Sequence, residues 1–234
     1  MRLLTLILGS SLICSTVFAQ VGDDILDTPY SFNQRNKAKE AVLNHLRHED
    51  GTFASFCEGE EAPMGCESRV GALVNHIFDS AREHRLNPWL FLAVAVESSG
   101  FNPFHVAQRV RTGIMGLTHT RAYRRNETFF TNSEYRTQCF NTADACQENI
   151  IEQSAQILRE AIDRCTSDEA ELPDFDGGLR RYVSGSCRAS ARFATRVLAQ
   201  MNELQEFALT VGDVNECDSN PAACFDPIGG LEDF

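Results

Sequence analysis

Asn87-Pro88 is followed by eight residues, Trp89-Leu90-Phe91-Leu92-Ala93-Val94-Ala95-Val96, with no charge among them. Asn is a good helix N-cap and Pro fits the first turn. A helix that is apolar on every side has no face to give to water, so other elements must enclose it. It is too short to cross a membrane, which takes about 20 apolar residues. The pattern therefore predicts a central buried helix from Trp89 to about Ser98. It ends in Glu97-Ser98-Ser99-Gly100, which puts a carboxyl at the edge of the apolar core.

The remaining helical patterns are amphipathic, as expected of elements that wrap such a helix. Phe32 to His48 places Ala38, Val42, Leu43 and Leu46 on one stripe. Glu67 to His84 does the same with Val70, Leu73, Val74, Ile77 and Phe78. A fourth helix is expected from Ala145 to Cys165. A fifth is expected from about Gly177 through Leu204, with a break near Ser184-Gly185. The stretch from Phe101 to about Ala143 reads as irregular. No repeat and almost no alternating strand pattern occur, so the fold class is all-α.

Met1 to Ala19 carries one charge, Arg2, two short apolar stretches, and Val17-Phe18-Ala19 before Gln20. This is the pattern of a secretory signal peptide, residues 1–19. Its removal leaves 215 of 234 residues and takes the formal net charge from −12 to −13. The expected organisation is an N-terminal helical extension over 20–66, a main domain over 67–204, and an acidic, disulfide-pinned tail over 205–234. A chain this acidic repels phosphate and is not expected to bind nucleic acid. No membrane span is expected after the signal. The protein should be secreted or periplasmic, and a monomer.

Eight cysteines remain after cleavage: Cys57, Cys66, Cys139, Cys146, Cys165, Cys187, Cys217 and Cys224. An even number in an exported chain points to disulfides. Pairing of neighbours is expected: Cys57–Cys66, Cys139–Cys146, Cys165–Cys187 and Cys217–Cys224. No Cys-x-x-Cys occurs, no His lies close to a cysteine pair, and His45 and His48 have no third ligand beside them. No metal or cofactor is expected. Asn126-Glu127-Thr128 matches a glycosylation acceptor, relevant only in a eukaryotic host.

Glu97 is the residue with the most chemical promise. An apolar surrounding disfavours a charged carboxyl, and a carboxylic acid that keeps its proton serves as a general acid. The alternative is a helix-end glutamate that simply faces water.

The motifs around it favour the first reading. Pro88 to Glu97, then Ser98, then Phe101-Asn102-Pro103, then Gly113-Ile114-Met115-Gly116-Leu117 resemble the lytic transglycosylases of the goose-type lysozyme fold. Asn149-Ile150, Arg181-Tyr182-Val183-Ser184-Gly185 and Phe193 to Leu198 resemble that family's later motifs, in the right order. The resemblance covers roughly Val70 to Met201. It implies a helical lysozyme-like domain with a glycan cleft. It also implies cleavage of the β-1,4 bond between N-acetylmuramic acid and N-acetylglucosamine in peptidoglycan glycan strands. Glu97 would act as acid and then base, without a cofactor. Ser98 would orient it by hydrogen bonding, Tyr182 would line the cleft, and the backbone of Met115, Gly116 and Leu117 would hold the glycan.

The sequence also departs from that family. Aligned without gaps from Pro88 to Pro103, Ser98 stands where the family has its glutamate. Glu97 takes that place only with one residue lost before it and one gained after it, Gly100 being the tolerant position. Adjacent helix residues point about 100° apart, so register decides which of the two faces the cleft. Gly116 replaces a Gln, Val183 an Asn and Gln153 a Gly. Two readings follow: an active peptidoglycan-cleaving enzyme with shifted preference, or a degenerate relative that binds without cutting. A helical effector or inhibitor with no wall role is a third.

Two charge features add to this. The acidity suits a deacetylated, amine-bearing wall, or it serves solubility alone. The basic runs Arg121 to Arg125 and Arg180 to Arg196 suit muramyl or stem-peptide carboxylates, or they pair with this chain's own acidic surface.

Overall fold

A computed structural model describes residues 32–47, 65–103, 105–107, 111–118 and 143–213. Six helices make up most of it: α1 (Phe32–Leu46), α2 (Cys66–Glu83), α3 (Pro88–Ser99), α4 (Ala143–Cys165), α5 (Phe175–Ser184) and α6 (Arg192–Thr210). Three two-residue strands, β1 (Val106–Ala107), β2 (Arg111–Thr112) and β3 (Leu117–Thr118), form a small antiparallel ladder in the order β1-β2-β3. That ladder falls in the stretch expected to be irregular. It is too short to form a layer, and the fold class is all-α.

The uncharged helix is central, as its composition requires. Leu90 through Val96 are all buried. Asn87 caps the helix: its side-chain oxygen accepts from the Trp89 N–H at 2.9 Å and the Leu90 N–H at 3.2 Å. Helices α6 and α2 flank α3. The stripes foreseen on α1 and α2 are the buried ones. Each large apolar side chain enclosed this way contributes roughly 1.5–3 kcal/mol relative to exposure. Helix α1 packs on both α2 and α6 and so belongs to the same core as the expected main domain. Outside the core, Arg35 of α1 donates through both terminal nitrogens to Asp79 of α2, at 3.2 and 2.7 Å.

The long final helix is two helices. Gly185 takes a left-handed conformation after α5, and residues up to Ala191 turn the chain before α6 begins. Helix α6 continues to Thr210, beyond the expected domain end at Leu204. The turn between α5 and α6 is pinned to the end of α4 by the Cys165–Cys187 disulfide, with Cα atoms 5.6 Å apart. This is one of the four expected pairs. Cys66 is also disulfide-bonded. Cys57, Cys139, Cys217, Cys224, the Cys146 side chain, the signal segment, Asn126 and the tail beyond Asp213 lie outside the described residues.

No helix among the described residues is long and apolar enough to cross a membrane.

Candidate functional site

The motifs read along the sequence converge at the C-terminal end of α3. Gly100 caps that helix in a left-handed conformation, φ 65°, its N–H donating to the Val96 carbonyl. Phe101 follows with φ 58° and is fully buried. A bulky residue in this region is strained, typically by about 1–3 kcal/mol, and here the enclosing core holds it there. The two residues reverse the chain and bring Asn102-Pro103 back against the turn Gly113–Gly116.

Ser99 joins these pieces. Its hydroxyl donates to the Ile114 carbonyl at 2.6 Å, with the Ala95 carbonyl at 3.0 Å as a second acceptor. Its oxygen accepts from the Asn102 N–H at 3.1 Å. Gln147 of α4 does the same from below. Its amide donates to the Pro103 carbonyl at 3.1 Å and accepts from the Ile114 N–H at 3.3 Å. Tyr182 of α5 donates its hydroxyl to the Met115 carbonyl at 3.1 Å. Three segments far apart in sequence, the end of α3 with Asn102-Pro103, α4 and α5, thus close on one turn.

The expected site residues divide into two groups. Met115, Gly116, Leu117 and Tyr182 are buried. The Met115 carbonyl is taken by Tyr182, and the Gly116 N–H donates to the Gly113 carbonyl at 3.0 Å. These residues frame the end of α3 and present no open glycan surface. Glu97 and Ser98 are half-buried at its rim.

Those two point in different directions. A Cβ built on Gly116, whose φ is 55°, would stand 2.9 Å from the Ser98 Cβ and 3.2 Å from its carbonyl oxygen. Ser98 therefore faces the turn. Glu97 faces α6, where the Arg196 Nε donates to its Oε1 in an ion pair. The Glu97 side chain is 18% exposed and that of Arg196 is 48% exposed. Glu97 is thus engaged by a cation on α6 and is turned away from the Gly113–Gly116 turn. The expected hydrogen bond from Ser98 to Glu97 is not among the contacts of the described residues. The tethering hydroxyl is that of Ser99, one residue on.

Helix α3 runs without interruption into Gly100, so no extra residue is looped out of it. Gly100 acts as its cap, with open space where a Cβ would lie. Of the other replaced positions, Val183 packs half-buried against the core. The Gln153 side-chain oxygen is enclosed and has no hydrogen-bond partner among the described residues.

Among the described residues no group of three or more His, Cys, Asp or Glu is placed to hold a metal. Elsewhere, Ser80 and His84 of the α2 end both contact the Glu152 carboxylate. The carboxylate lies between hydroxyl and imidazole, so the group is not a nucleophile–base relay, which needs the imidazole in the middle.

No family model matches this chain, and no curated protein or solved structure does.

Proposed function

We propose that this chain is a secreted or periplasmic lysozyme-like protein that binds peptidoglycan glycan strands without cleaving them through the family's glutamate position. The observation that carries this reading is the pair of directions at the end of α3. Ser98, which the lytic transglycosylase resemblance, aligned without gaps, puts at the acid's position, faces the Gly113–Gly116 turn. A serine hydroxyl is far too weak an acid to protonate a glycosidic oxygen. Glu97 is turned to α6 and ion-paired with Arg196. The convergence of the Glu-Ser, Phe-Asn-Pro, Gly-Ile-Met-Gly-Leu and Tyr182 motifs on one turn supports the lysozyme-like part of the reading.

A second reading keeps the enzyme. Glu97 lies at the end of a wholly apolar helix, largely shielded, one position from Ser98. Displacement of Arg196 by a substrate would free its carboxyl to act as acid and base in glycan cleavage. Co-sedimentation with purified sacculi tests the wall binding that both readings require. The proposal expects wild type and Glu97→Gln to be retained alike or better, and Ser98→Arg to be released. Failure of wild type to bind sacculi would favour an effector or inhibitor role instead.

A further inference from the structure

The chain carries 33 acidic against 21 basic residues, and several arginines among the described residues are held in ion pairs. Arg35 is held by Asp79, Arg159 by Asp163 and Arg180 by Asp176. The start of α6 carries two arginines that are less engaged. Arg192 is exposed and makes no ion pair to a described residue. Arg196 stands one turn further along, on the same face. It gives only its Nε to Glu97, while its two terminal nitrogens make no hydrogen bond to a described residue. A guanidinium has five N–H donors arranged to grip a carboxylate in parallel, and one of them is in use here.

We infer that Arg196 and Arg192 form a carboxylate subsite beside the end of α3, which a peptidoglycan carboxylate enters by taking Arg196 from Glu97. The inference rests on the peptidoglycan reading and gives it a specificity determinant. The half-buried rim of α3 is left to sugar hydroxyls, and the half-exposed Arg196 is offered to an anion. A neutral polymer of N-acetylglucosamine satisfies only the first. Stem-peptide carboxylates and the lactyl group of muramic acid offer the same chemistry to the second. An entering carboxylate competes with Glu97, so the intramolecular pair sets a threshold that weak anions do not pass.

Binding of wild type, Arg196→Ala, Arg196→Lys and Glu97→Gln to three probes tests this. The probes are sacculi with intact stem peptides, amidase-stripped glycan strands with free lactyl carboxylates, and chitin oligosaccharides. Arg196→Ala is expected to weaken sacculus binding roughly tenfold or more, the worth of a charge-assisted pair, and to leave chitin oligosaccharide binding unchanged. Arg196→Lys keeps the charge but loses the fork, and falls between. Glu97→Gln, which frees Arg196, is expected to tighten sacculus binding. Stripped strands binding like sacculi would identify the lactyl carboxylate as the partner; stripped strands binding like chitin would identify the stem peptide. Equal effects of Arg196→Ala on sacculi and chitin, or none on either, would overturn the subsite alone. Absence of wild-type binding to all three probes would overturn the peptidoglycan reading and the subsite with it.

Discussion

Gly116 lies so close to Ser98 that a Cβ on the glycine would stand 2.9 Å from that of the serine. The contact explains a departure that sequence comparison alone presents as a lost side chain. Where the resembling family has Gln, this turn has no room for one, and its φ of 55° disfavours any side chain. Left-handed backbone costs a non-glycine residue about 1–2 kcal/mol. Gly116→Gln is expected to lose that much and the contact with Ser98 besides. Gly100→Ala, at φ 65° with open space around it, is expected to lose only the backbone part. Urea midpoints of the two variants check this. A Gly116→Gln protein as stable as Gly100→Ala would show that the turn moves away from α3.

Tyr182 reaches the same turn from α5, and its hydroxyl satisfies the buried Met115 carbonyl. Tyr182→Phe leaves that carbonyl without this donor while keeping the ring in place. A loss of about 1–3 kcal/mol is expected for an unsatisfied buried acceptor. Thermal unfolding of the variant measures it. No change in Tm would mean that water replaces the hydroxyl and that the turn is open to solvent.

The helical core was legible because one face, or every face, of each segment announces its burial. The stripes of Val42 and Leu46, or Val70, Leu73 and Ile77, recur at helical spacing, and α3 has no polar face to misplace. The break near Ser184-Gly185 was legible from the glycine, but the six-residue turn after it was not. Arg180 to Arg196 is polar enough to pass for one exposed helix. The site was legible as a set of motifs and not as a geometry. Ser99 meets its partner carbonyl 15 residues away, Gln147 reaches across 33 and 44, and Arg196 meets Glu97 across 99. Nothing in local spacing encodes such pairs. Gln147 is an ordinary polar residue in sequence, and only its burial marks it as a strut. The direction of Glu97 depends on a one-residue register, which periodicity does not resolve when every neighbouring side chain is apolar.

Asp79 makes the packing of α1 on α2 sensitive to acid. Its hydrogen bonds to Arg35 hold its carboxyl below the ordinary value of 3.8, against the opposing effect of partial burial. The stabilisation is therefore present above that value and is lost as pH falls through the lower folded-state value. Stability measured from pH 5 down to pH 2 is expected to fall in this window. Asp79→Asn is expected to be less stable than wild type at pH 5 and to show a shallower fall. Parallel curves for the two proteins would exclude Asp79 as the source.

The Cys165–Cys187 bridge closes a loop of 22 residues around α5. Chain-entropy reasoning assigns such a crosslink about 3 kcal/mol. Cys165→Ala with Cys187→Ala is expected to lower stability by that order. Sacculus binding by the folded fraction should be retained, since neither cysteine touches the α3 rim. Loss of binding at temperatures where the variant remains folded would show that the α5–α6 turn positions Arg192 and Arg196.

A carboxyl at the end of α3 that acted on the glycan would release soluble fragments. Chromatography of soluble muropeptides released from purified sacculi, by wild type and by Glu97→Gln, tests it most directly. Both proteins are expected to sediment with the sacculi, and neither to release muropeptides above a protein-free control. Muropeptides released by wild type and absent with Glu97→Gln would contradict this, and would make Glu97 the acid of an active enzyme.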